Sequence, residues 1–397
     1  MRGHIRNYQL NSGEKRWAAV VYRGKRVAKD GKLLDAYRWI RGFHTQKAAQ
    51  NELNKVLRSI DEGTYAEASR QTLSEYLERW LNTVKPNLEA KTFERYKEIV
   101  DLNIVPRLGA IQLAKLQPVQ IAEFYVWSAT HGNKRNNSGL SARTVLHIHR
   151  LLRKALQQAM IWQIRPTNPA AMVEAPRPRD KEIKAVEEDR AAWLIEAAEN
   201  TDLYLPILFG LCTGMRRGEI LGLRWSDLDL DNSRLTVNQS LEQTRAGIHF
   251  KSTKNKKSRR TIALPPTLIS AIKEHRISQD KNKELFGSDY PNLDLVCPLP
   301  DGNPWPPDRF TDDYIAFTRR VVARDIRFHD LRHTHASELL RRGTPIKTVS
   351  QRLGHANPTV TLNVYAHMMS GDDENAAQLV EDLLQKQFAK KEKKGEE

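Results

Sequence analysis

The chain has 397 residues, of which 40% are hydrophobic and 28% are charged, so it is long enough for two or three domains with buried cores. Its formal net charge of +16 favours a polyanionic partner, because bound cations release the counterions of phosphates. No apolar run approaches the roughly 20 residues of a membrane span, and the first residues lack the apolar core of a signal peptide. The two cysteines, Cys212 and Cys297, lack metal-ligand spacing, so reduced thiols in the cytoplasm are expected.

The first 63 residues carry 14 Lys or Arg against 6 Asp or Glu, a surplus that is half of the net charge of the chain. Residues 17–22 are β-rich, and a basic turn follows them. A second aromatic cluster lies at Tyr37, Trp39 and Phe43. Thr45 is a suitable N-cap for a helix that runs to about Ile60. These features predict a small basic domain of sheet plus helix, whose aromatic residues either contact a nucleic acid or fill the core.

Residues 70–174 predict an all-helical domain, because leucines and aromatics recur at helical spacing from Leu73 onward. Further helices are predicted over about 88–105, from Pro118, and from the N-cap Ser141. The last of these has an apolar stripe that predicts core, formed by Val145, Ile148, Leu152, Ala155 and Ala159. Its other face is basic, with Arg143, His147, Arg150 and Lys154. This basic face either follows a phosphate backbone or is simply solvated.

Residues 175–182 are rich in proline and charge, which is typical of a linker. The region that follows, 183–388, mixes helical patterns with strands at 235–238 and 260–264. Between these strands, residues 251–260 hold six positive charges and no acid, namely Lys251, Lys254, Lys256, Lys257, Arg259 and Arg260. The pattern predicts a hairpin connection that brings these charges to a groove or to phosphates. An apolar stripe near the end predicts a C-terminal helix, with Leu379, Val380, Leu383 and Leu384.

Residues 329–365 predict three short helices that present a cluster of polar side chains. His329 and Arg332 are three residues apart, so they share one face of the first helix. The predicted boundaries are set by Gly343, by Thr344 before Pro345, by Gly354, and by Asn357 before Pro358. His355 then lies at the exit of the second helix, and Tyr365 lies two turns into the third. Such a convergence of two histidines, an arginine and a tyrosine predicts a functional site.

The motifs H-x-L-R-H, L-G-H and Y-A-H in residues 329–367 resemble the second signature block of the tyrosine recombinases, the phage-type integrases. The motifs TGMRRGEI and LRWSD at 213–227 are similar to the first block, and all blocks occur in the expected order. The resemblance implies an α+β multidomain protein with three parts. They are a sheet-plus-helix domain similar to arm-site DNA-binding domains at 1–63, a helical core-binding domain at 70–174, and a mixed α/β catalytic domain with a C-terminal helix at 183–388.

The resemblance also implies a role for each residue of the motifs. Arg216 and Arg332 would hold the scissile phosphate, because a guanidinium stays charged and binds two oxygens at once. Tyr365 would be the nucleophile, and it needs help because a phenol has a pKa near 10. His329 and His355 would donate to phosphate oxygens or accept the tyrosine proton, since imidazole titrates near neutrality.

The residue that protonates the leaving 5′ oxygen is a lysine in this family, and the match of the S-R-R-T-I-x-L run places it at Lys254. The family often has Lys-Thr after a proline, whereas this chain has Thr-Lys-Asn, so Lys251 and Lys256 remain alternatives. Glu219 would orient the lysine or the first arginine. A purely structural role for Arg216 as the salt-bridge partner of Glu219 is the alternative to a catalytic one.

The implied partners are double-stranded DNA at core and arm sites, a homotetramer on DNA, and host bending or directionality factors, with no membrane, cofactor or metal. A zinc site is an alternative because of the extra histidines His333, His335 and His367, but it would leave the arginine pair without a role. Three other functions compete with recombination: a type IB topoisomerase, a non-catalytic DNA-binding protein and a zinc-dependent nuclease. The topoisomerase would not need a basic N-terminal domain, and the DNA-binding protein would not need every catalytic position filled.

Overall fold

The computed structural model describes residues 3–27, 33–61, 70–133, 138–178, 186–252, 259–321, 323, 325–365, 377–378, 380–382 and 384–385. The chain divides into two compact units, Met1–Asp180 and Lys181–Glu397. This division lies inside the proline-rich segment that the sequence marks as a linker. The boundary expected between residues 63 and 70 falls in a segment outside the described residues, so it stays a prediction.

The first unit begins with a three-stranded antiparallel sheet in the order β1-β2-β3, followed by one helix. The elements are β1 (Gly3–Gln9), β2 (Lys15–Val27), β3 (Leu33–Phe43) and α1 (Gln46–Asp61). The Thr45 hydroxyl accepts a hydrogen bond from the Ala48 amide at 3.2 Å, as its predicted capping role requires. One face of the sheet packs on α1 through Ala19, Val21, Leu53 and Val56. The predicted sheet plus helix is therefore confirmed.

The rest of the first unit is helical and has its own core. Its helices are α2 (Leu73–Val84), α3 (Ala90–Glu98), α4 (Val105–Leu108), α5 (Pro118–His131) and α6 (Ala142–Ile161). The predicted apolar stripe of α6 is buried, and the Ser141 hydroxyl accepts from the Thr144 amide at 3.2 Å. The single helix predicted over 88–105 is interrupted by a π-helical segment, Ile99–Ile104. Pro106 has no N–H and its ring would crowd the carbonyl four residues earlier, which favours a wider turn there.

The second unit mixes eight helices and five strands within its described residues. The helices are α7 (Glu188–Ala198), α8 (Tyr204–Thr213), α9 (Arg217–Leu221), α10 (Pro266–Phe286), α11 (Pro307–Arg320), α12 (Phe328–Arg341), α13 (Ile346–Leu353) and α14 (Pro358–Tyr365). The strands are β4 (Leu228–Asp229), β5 (Arg234–Val237), β6 (Gln239–Thr244), β7 (Gly247–Ser252) and β8 (Arg260–Ala263). They form one sheet in the order β4-β5-β8 and a separate β6-β7 hairpin.

Helix α8 is the centre of the second core, because seven of its ten residues are buried. It packs closely on α12 where Gly210 faces Leu331: a Cβ on Gly210 would lie 3.2 Å from a Leu331 methyl. This close approach brings the end of α8 next to the middle of α12. The two sequence blocks that carry the motifs are far apart along the chain, and this packing joins them in one place.

Two predictions about local structure are wrong. Thr344 does not cap α13: the N-cap is Pro345, without a side-chain hydrogen bond, while the Thr344 amide donates to the Leu339 carbonyl and so completes the previous helix. The basic stretch 251–260 is not a single connection either, because Lys251 lies on β7 and pairs with Ser240 of β6. The sequence of this hairpin is mostly polar, and the buried residues of β6, Leu241 and Thr244, are three positions apart, so its alternation is weak.

Several features near the end of the chain agree with expectation. Gly343 and Gly354 adopt the positive φ that ends a helix, and the Asn357 side chain accepts from the Thr359 amide at the start of α14. Of the predicted C-terminal helix, residues 377–378, 380–382 and 384–385 are helical, with Val380 and Leu384 exposed. Leu379 and Leu383 lie outside the described residues. Within the described ranges, no helix combines the length and the apolar character that a membrane span requires.

Candidate active site

The turn between α8 and α9 places Arg216. Helix α8 ends at Gly214 with φ of +65°, and a Cβ there would lie 2.7 Å from His335 and from Leu353, so only glycine fits. Arg216 is the N-cap of α9: its amide donates to one Glu219 oxygen at 2.8 Å, and its guanidinium donates to the other at 2.9 Å. The salt bridge that the sequence raised as an alternative is therefore present. This salt bridge fixes the orientation of the Arg216 guanidinium at the edge of the site, and it leaves that guanidinium half-exposed.

Glu219 has a second cationic partner that the motifs did not indicate. The guanidinium of Arg260 donates to both Glu219 oxygens, at 3.1 and 2.8 Å, and its Nε donates to the Arg352 carbonyl at 2.7 Å. Burial alone would raise the pKa of the Glu219 carboxyl, but its bonds to Arg260 and Arg216 lower that pKa to about 2. Arg260 and Ile262 are two residues apart on β8 and are both buried, whereas Thr261 and Ala263 are exposed. This period of two was the signal in the sequence that Arg260 faces inward.

Arg332 lies on α12 and is only 3% exposed. Its two terminal nitrogens donate to the carbonyls of Gly214 and Leu353, the second at 2.7 Å. These carbonyls belong to the ends of α8 and α13, where the partial negative charge of a helix C-terminus favours a cation. Burial and the nearby charge of Arg216 lower the pKa of Arg332 to about 9, which still leaves it charged at neutral pH.

Tyr365 is the last residue of α14 and is 1% exposed. Its ring packs in an apolar cluster of α12 and α13 residues, formed with Ala336, Leu340, Val349 and Leu353. Its hydroxyl lies 2.7 Å from Nδ1 of His333. Burial raises the pKa of Tyr365 to about 12, against the opposite effect of the Arg332 charge. The expected nucleophile is thus held by a histidine that the sequence singled out only as a candidate zinc ligand.

The other two predicted histidines lie around this pair. The His329 ring is exposed and meets the His333 ring edge-on, with centroids 4.9 Å apart. His355 is half-buried between α13 and α14, with Nδ1 2.8 Å from the Thr361 hydroxyl. Partial desolvation and the charges of neighbouring arginines lower the pKa of both rings. Both are therefore neutral at pH 7.

His335 and Arg352 support the site through hydrogen bonds between helices. The motifs did not assign these two residues to the site. His335 donates through Nδ1 to the Leu211 carbonyl at 2.7 Å and accepts at Nε2 from Arg352 at 3.0 Å. Arg352 also donates to the Cys212 carbonyl at 2.8 Å. These bonds tie α13 to the end of α8. With His335 so engaged, it does not suit a zinc site, and the part of the chain that the structure describes contains no group of three or more potential metal ligands.

The basic residues predicted to contact DNA are only partly placed. Lys254, Lys256 and Lys257 lie outside the described residues, as does His367. Lys251 is half-buried on β7, and Arg259 is exposed just before β8. On α6, Arg143 and Arg150 are exposed, whereas Lys154 donates to the Tyr96 hydroxyl at 3.3 Å and lies over that ring. Contact of any of these residues with DNA stays a prediction.

Comparison with known protein families identifies the family to which this chain belongs. The family model described as "Phage integrase family" matches residues 184–371, and the model described as "Phage integrase, N-terminal SAM-like domain" matches residues 72–126. The chain is a member of the phage integrase family, the tyrosine recombinases. This recombinase is 28% identical over 360 residues to a "Tyrosine recombinase XerC-like" protein of Caldanaerobacter subterraneus, covering 86% of this chain and 90% of that one. It is also 28% identical over 401 residues to the putative prophage phiRv2 integrase of Mycobacterium tuberculosis, covering 97% and 96% of the two chains.

Solved structures share the fold of the recombinase at lower identity. The Tn1549 transposon integrase in complex with a circular intermediate DNA has a TM-score of 0.65 at 17% identity, covering 78% of this chain and 99% of that one. A lambda integrase dimer bound to a core site has a TM-score of 0.55 at 18% identity, covering 92% and 94%. The expected α+β multidomain fold is confirmed by these matches.

Proposed function

We propose that this recombinase cuts and rejoins double-stranded DNA at specific sites through a covalent bond to Tyr365, and so integrates or excises a mobile element. The observation that carries the proposal is the meeting of α9, α12 and α14. Arg216 and Arg332 lie there near Glu219, and Tyr365 contacts His333, whose ring meets that of His329. The cationic part of this arrangement fits a phosphodiester, and the phenol supplies a nucleophile.

In the proposed reaction, Tyr365 attacks a phosphate to form a 3′-phosphotyrosyl bond and release a 5′ hydroxyl. Arg216 and Arg332 neutralise the charge that develops on the phosphate oxygens, with His329 and His355 as neutral hydrogen-bond donors beside them. Lys254, with Lys251 and Lys256 as alternatives, protonates the leaving 5′ oxygen. The 5′ hydroxyl of a partner duplex then attacks the phosphotyrosine. The covalent bond conserves the phosphodiester energy, so the proposal requires neither ATP nor a metal.

The test is cleavage of nicked duplex DNA that traps the covalent intermediate, in the presence of a metal chelator. Fragments from the ends of the mobile element that carries the gene would supply the sites. We expect wild-type protein to form an adduct at the 3′ side that survives denaturing electrophoresis, and Tyr365→Phe to form none. Tyr204→Phe, a change of the same kind on α8, serves as the control and should retain the adduct. Cleavage that requires a divalent metal, or an adduct in Tyr365→Phe, would contradict the proposal.

We infer further that the open face of the N-terminal sheet binds a second, arm-type DNA site. Alternation along β1 and β3 puts a row of basic and aromatic side chains on the face away from α1, namely His4, Arg6, Tyr8, Tyr37, Trp39 and Arg41. Arg6 and Arg41 lie over the Trp39 ring at 5.9 and 5.3 Å. Trp39 and Tyr37 are 37% and 49% exposed, so these aromatics do not fill the core as the alternative interpretation required.

This inference is tested by the salt dependence of binding to arm-type DNA. Replacing both Arg6 and Arg41 with alanine should weaken binding and reduce the slope of log K against log salt by about 1 for each phosphate that is no longer neutralised. The matched control is the double change of Lys47 and Lys55 to alanine, which are exposed on α1. Equal weakening in the two double variants would mean that only net charge matters, and would contradict a specific role for the open face.

The proposed working unit is a homotetramer on two duplexes, which the C-terminal helix helps to assemble by packing on a neighbouring protomer. The exposed Val380 and Leu384 support this packing, since these apolar side chains of that helix lack cover within the described chain. A lambda integrase with the same fold has been solved as a tetramer bound to a Holliday junction. The proposal also places this reaction in the bacterial cytoplasm, with host DNA-bending or directionality factors as partners.

A further inference from the structure

The hydrogen bond between Tyr365 and His333 assigns a role that the motif left open. Among the residues that the structure describes, His333 is the hydrogen-bond partner of the Tyr365 hydroxyl, with 2.7 Å between Nδ1 and Oη. The two ring centroids lie 5.8 Å apart, and Tyr365 is 1% exposed, so bulk water has little access to the phenol. A group that removes the phenol proton must be within hydrogen-bond reach of it. His333 satisfies this condition.

The charge state of His333 suits a proton acceptor. Burial is the main influence on its ring, and it lowers the pKa of His333, so the imidazole is neutral at pH 7. With its proton on Nε2, a neutral ring presents the lone pair of Nδ1 to the tyrosine hydroxyl. The titratable and charged groups that face it are Arg327, His329, Asp330 and Arg332 of α12 and its cap, Tyr365 of α14, and His355 before α14.

The two histidines that the motif offers for this role are placed differently. His355 directs Nδ1 to the Thr361 hydroxyl at 2.8 Å, and the exposed His329 ring contacts the edge of the His333 ring. Both lie beside the arginines that are proposed to hold the phosphate, as the effects of Arg216 and Arg332 on their pKa values indicate. This placement suits hydrogen bonding to phosphate oxygens, and it leaves the phenol proton to His333.

We propose that His333 takes the proton of Tyr365 during DNA cleavage and returns it when the strand is rejoined, an inference that rests on the proposed function. In cleavage, the Tyr365 oxygen bonds to phosphorus, its proton moves to Nδ1 of His333, and the bond from phosphorus to the 5′ oxygen breaks. That oxygen takes a proton from the lysine acid. In rejoining, the 5′ hydroxyl attacks phosphorus and gives its proton back to the lysine. The released phenolate recovers its proton from His333.

The test measures single-turnover cleavage of nicked DNA by wild type and His333→Ala, each with tyrosine or the more acidic fluorotyrosine incorporated at position 365. At about pH 7, we expect His333→Ala to cleave roughly 10²-fold or more slowly than wild type, as for loss of a general base. The deficit should shrink at high pH and with fluorotyrosine, because a more acidic phenol depends less on a base. A deficit that stays the same under both changes, or one below about threefold, would overturn the inference.

A second variant and a control separate proton transfer from packing. His333→Asn can accept a hydrogen bond from the phenol but cannot take its proton, so we expect it to remain slow; recovery to the wild-type rate would overturn the inference. His275→Gln changes a histidine of α10 that contacts the Val296 carbonyl, and it should cleave normally. Thermal melting identifies any variant that fails to fold. If His333→Ala fails to fold, His333→Asn takes its place in the comparison of tyrosine with fluorotyrosine at position 365. Failure of the proposed function is distinguishable, since wild-type protein would then form no adduct that depends on Tyr365, whereas failure of this inference leaves that adduct in place.

Discussion

Glu219 and Arg260 form a two-pronged ion pair in which each side chain is only 6% exposed. The carboxyl is shared with Arg216, so one buried anion positions two guanidiniums of different elements, α9 and β8. A buried ion pair contributes little net stability by itself, but removal of one partner leaves the other as an uncompensated buried charge. Glu219 is therefore a structural requirement for the cationic side of the site.

The first prediction follows from this pair. Glu219→Gln should lower the free energy of unfolding by about 3–5 kcal/mol, because Arg260 loses its buried counter-charge. Urea denaturation followed by circular dichroism measures the change. Glu338→Gln is the matched control: Glu338 pairs with Arg341 and Arg342 on an exposed face of α12, and its replacement should cost about 0–1 kcal/mol. Equal destabilisation in the two variants would contradict the structural role of Glu219.

A second prediction concerns stability at low pH. Burial lowers the pKa of His335 to about 4 from the ordinary 6.5. As the pH falls, the unfolded chain therefore protonates this histidine before the folded chain does. The free energy of unfolding decreases as the pH drops from about 6.5 to 4. Glu219, with its pKa lowered to about 2, adds a further decrease as the pH drops below about 4.5. Melting temperatures across this range test the order of the two effects. His335→Gln should make the decline above pH 4 shallower without removing it, because His329 and His355 also have lowered pKa values. An unchanged profile would contradict the assignment.

Gly214 provides a third prediction, with an internal control in Gly343. Both residues have positive φ, of +65° and +77°, but an added Cβ meets His335 and Leu353 at 2.7 Å only at Gly214. Gly343→Ala should cost about 1 kcal/mol, the strain of a left-handed conformation. Gly214→Ala should cost clearly more and also slow DNA cleavage, since the Gly214 carbonyl accepts from Arg332. Similar unfolding free energies for both variants would contradict the close packing.

The fourth prediction concerns the role of Arg332 in DNA cleavage, separately from its effect on folding. Arg332→Lys keeps a positive charge but cannot bridge the Gly214 and Leu353 carbonyls while also binding a phosphate bidentately. We expect single-turnover cleavage to fall by about 10²–10³-fold, as for the removal of a preorganised charge donor. Binding of the N-terminal domain to arm-type DNA should not change. Arg341→Lys, on the exposed end of the same helix, is the control; a comparable decrease there would remove the special role of Arg332.

Local features of the sequence were enough to place most of the helices. Thr45 and Ser141 cap the helices that they were predicted to cap, and Gly354 ends α13 with a positive φ. Each of these depends on a residue and its near neighbours, which the sequence displays directly. Thr344 shows where such reasoning ends: its amide completes the preceding helix, so the hydroxyl that suited a cap is not used as one.

Motifs and hydrophobic periodicity are sufficient to identify the family, the main helices and the residue types of the site, since both can be read along the chain. Which histidine meets Tyr365 depends instead on packing. His329, His333 and His335 share one helix at short spacing, and the choice among them is made by how α14 lies against α12. Packing likewise turns Arg260 inward to Glu219, a partner 41 residues away. Contacts between distant segments arise only when those segments pack together, and no local pattern records them.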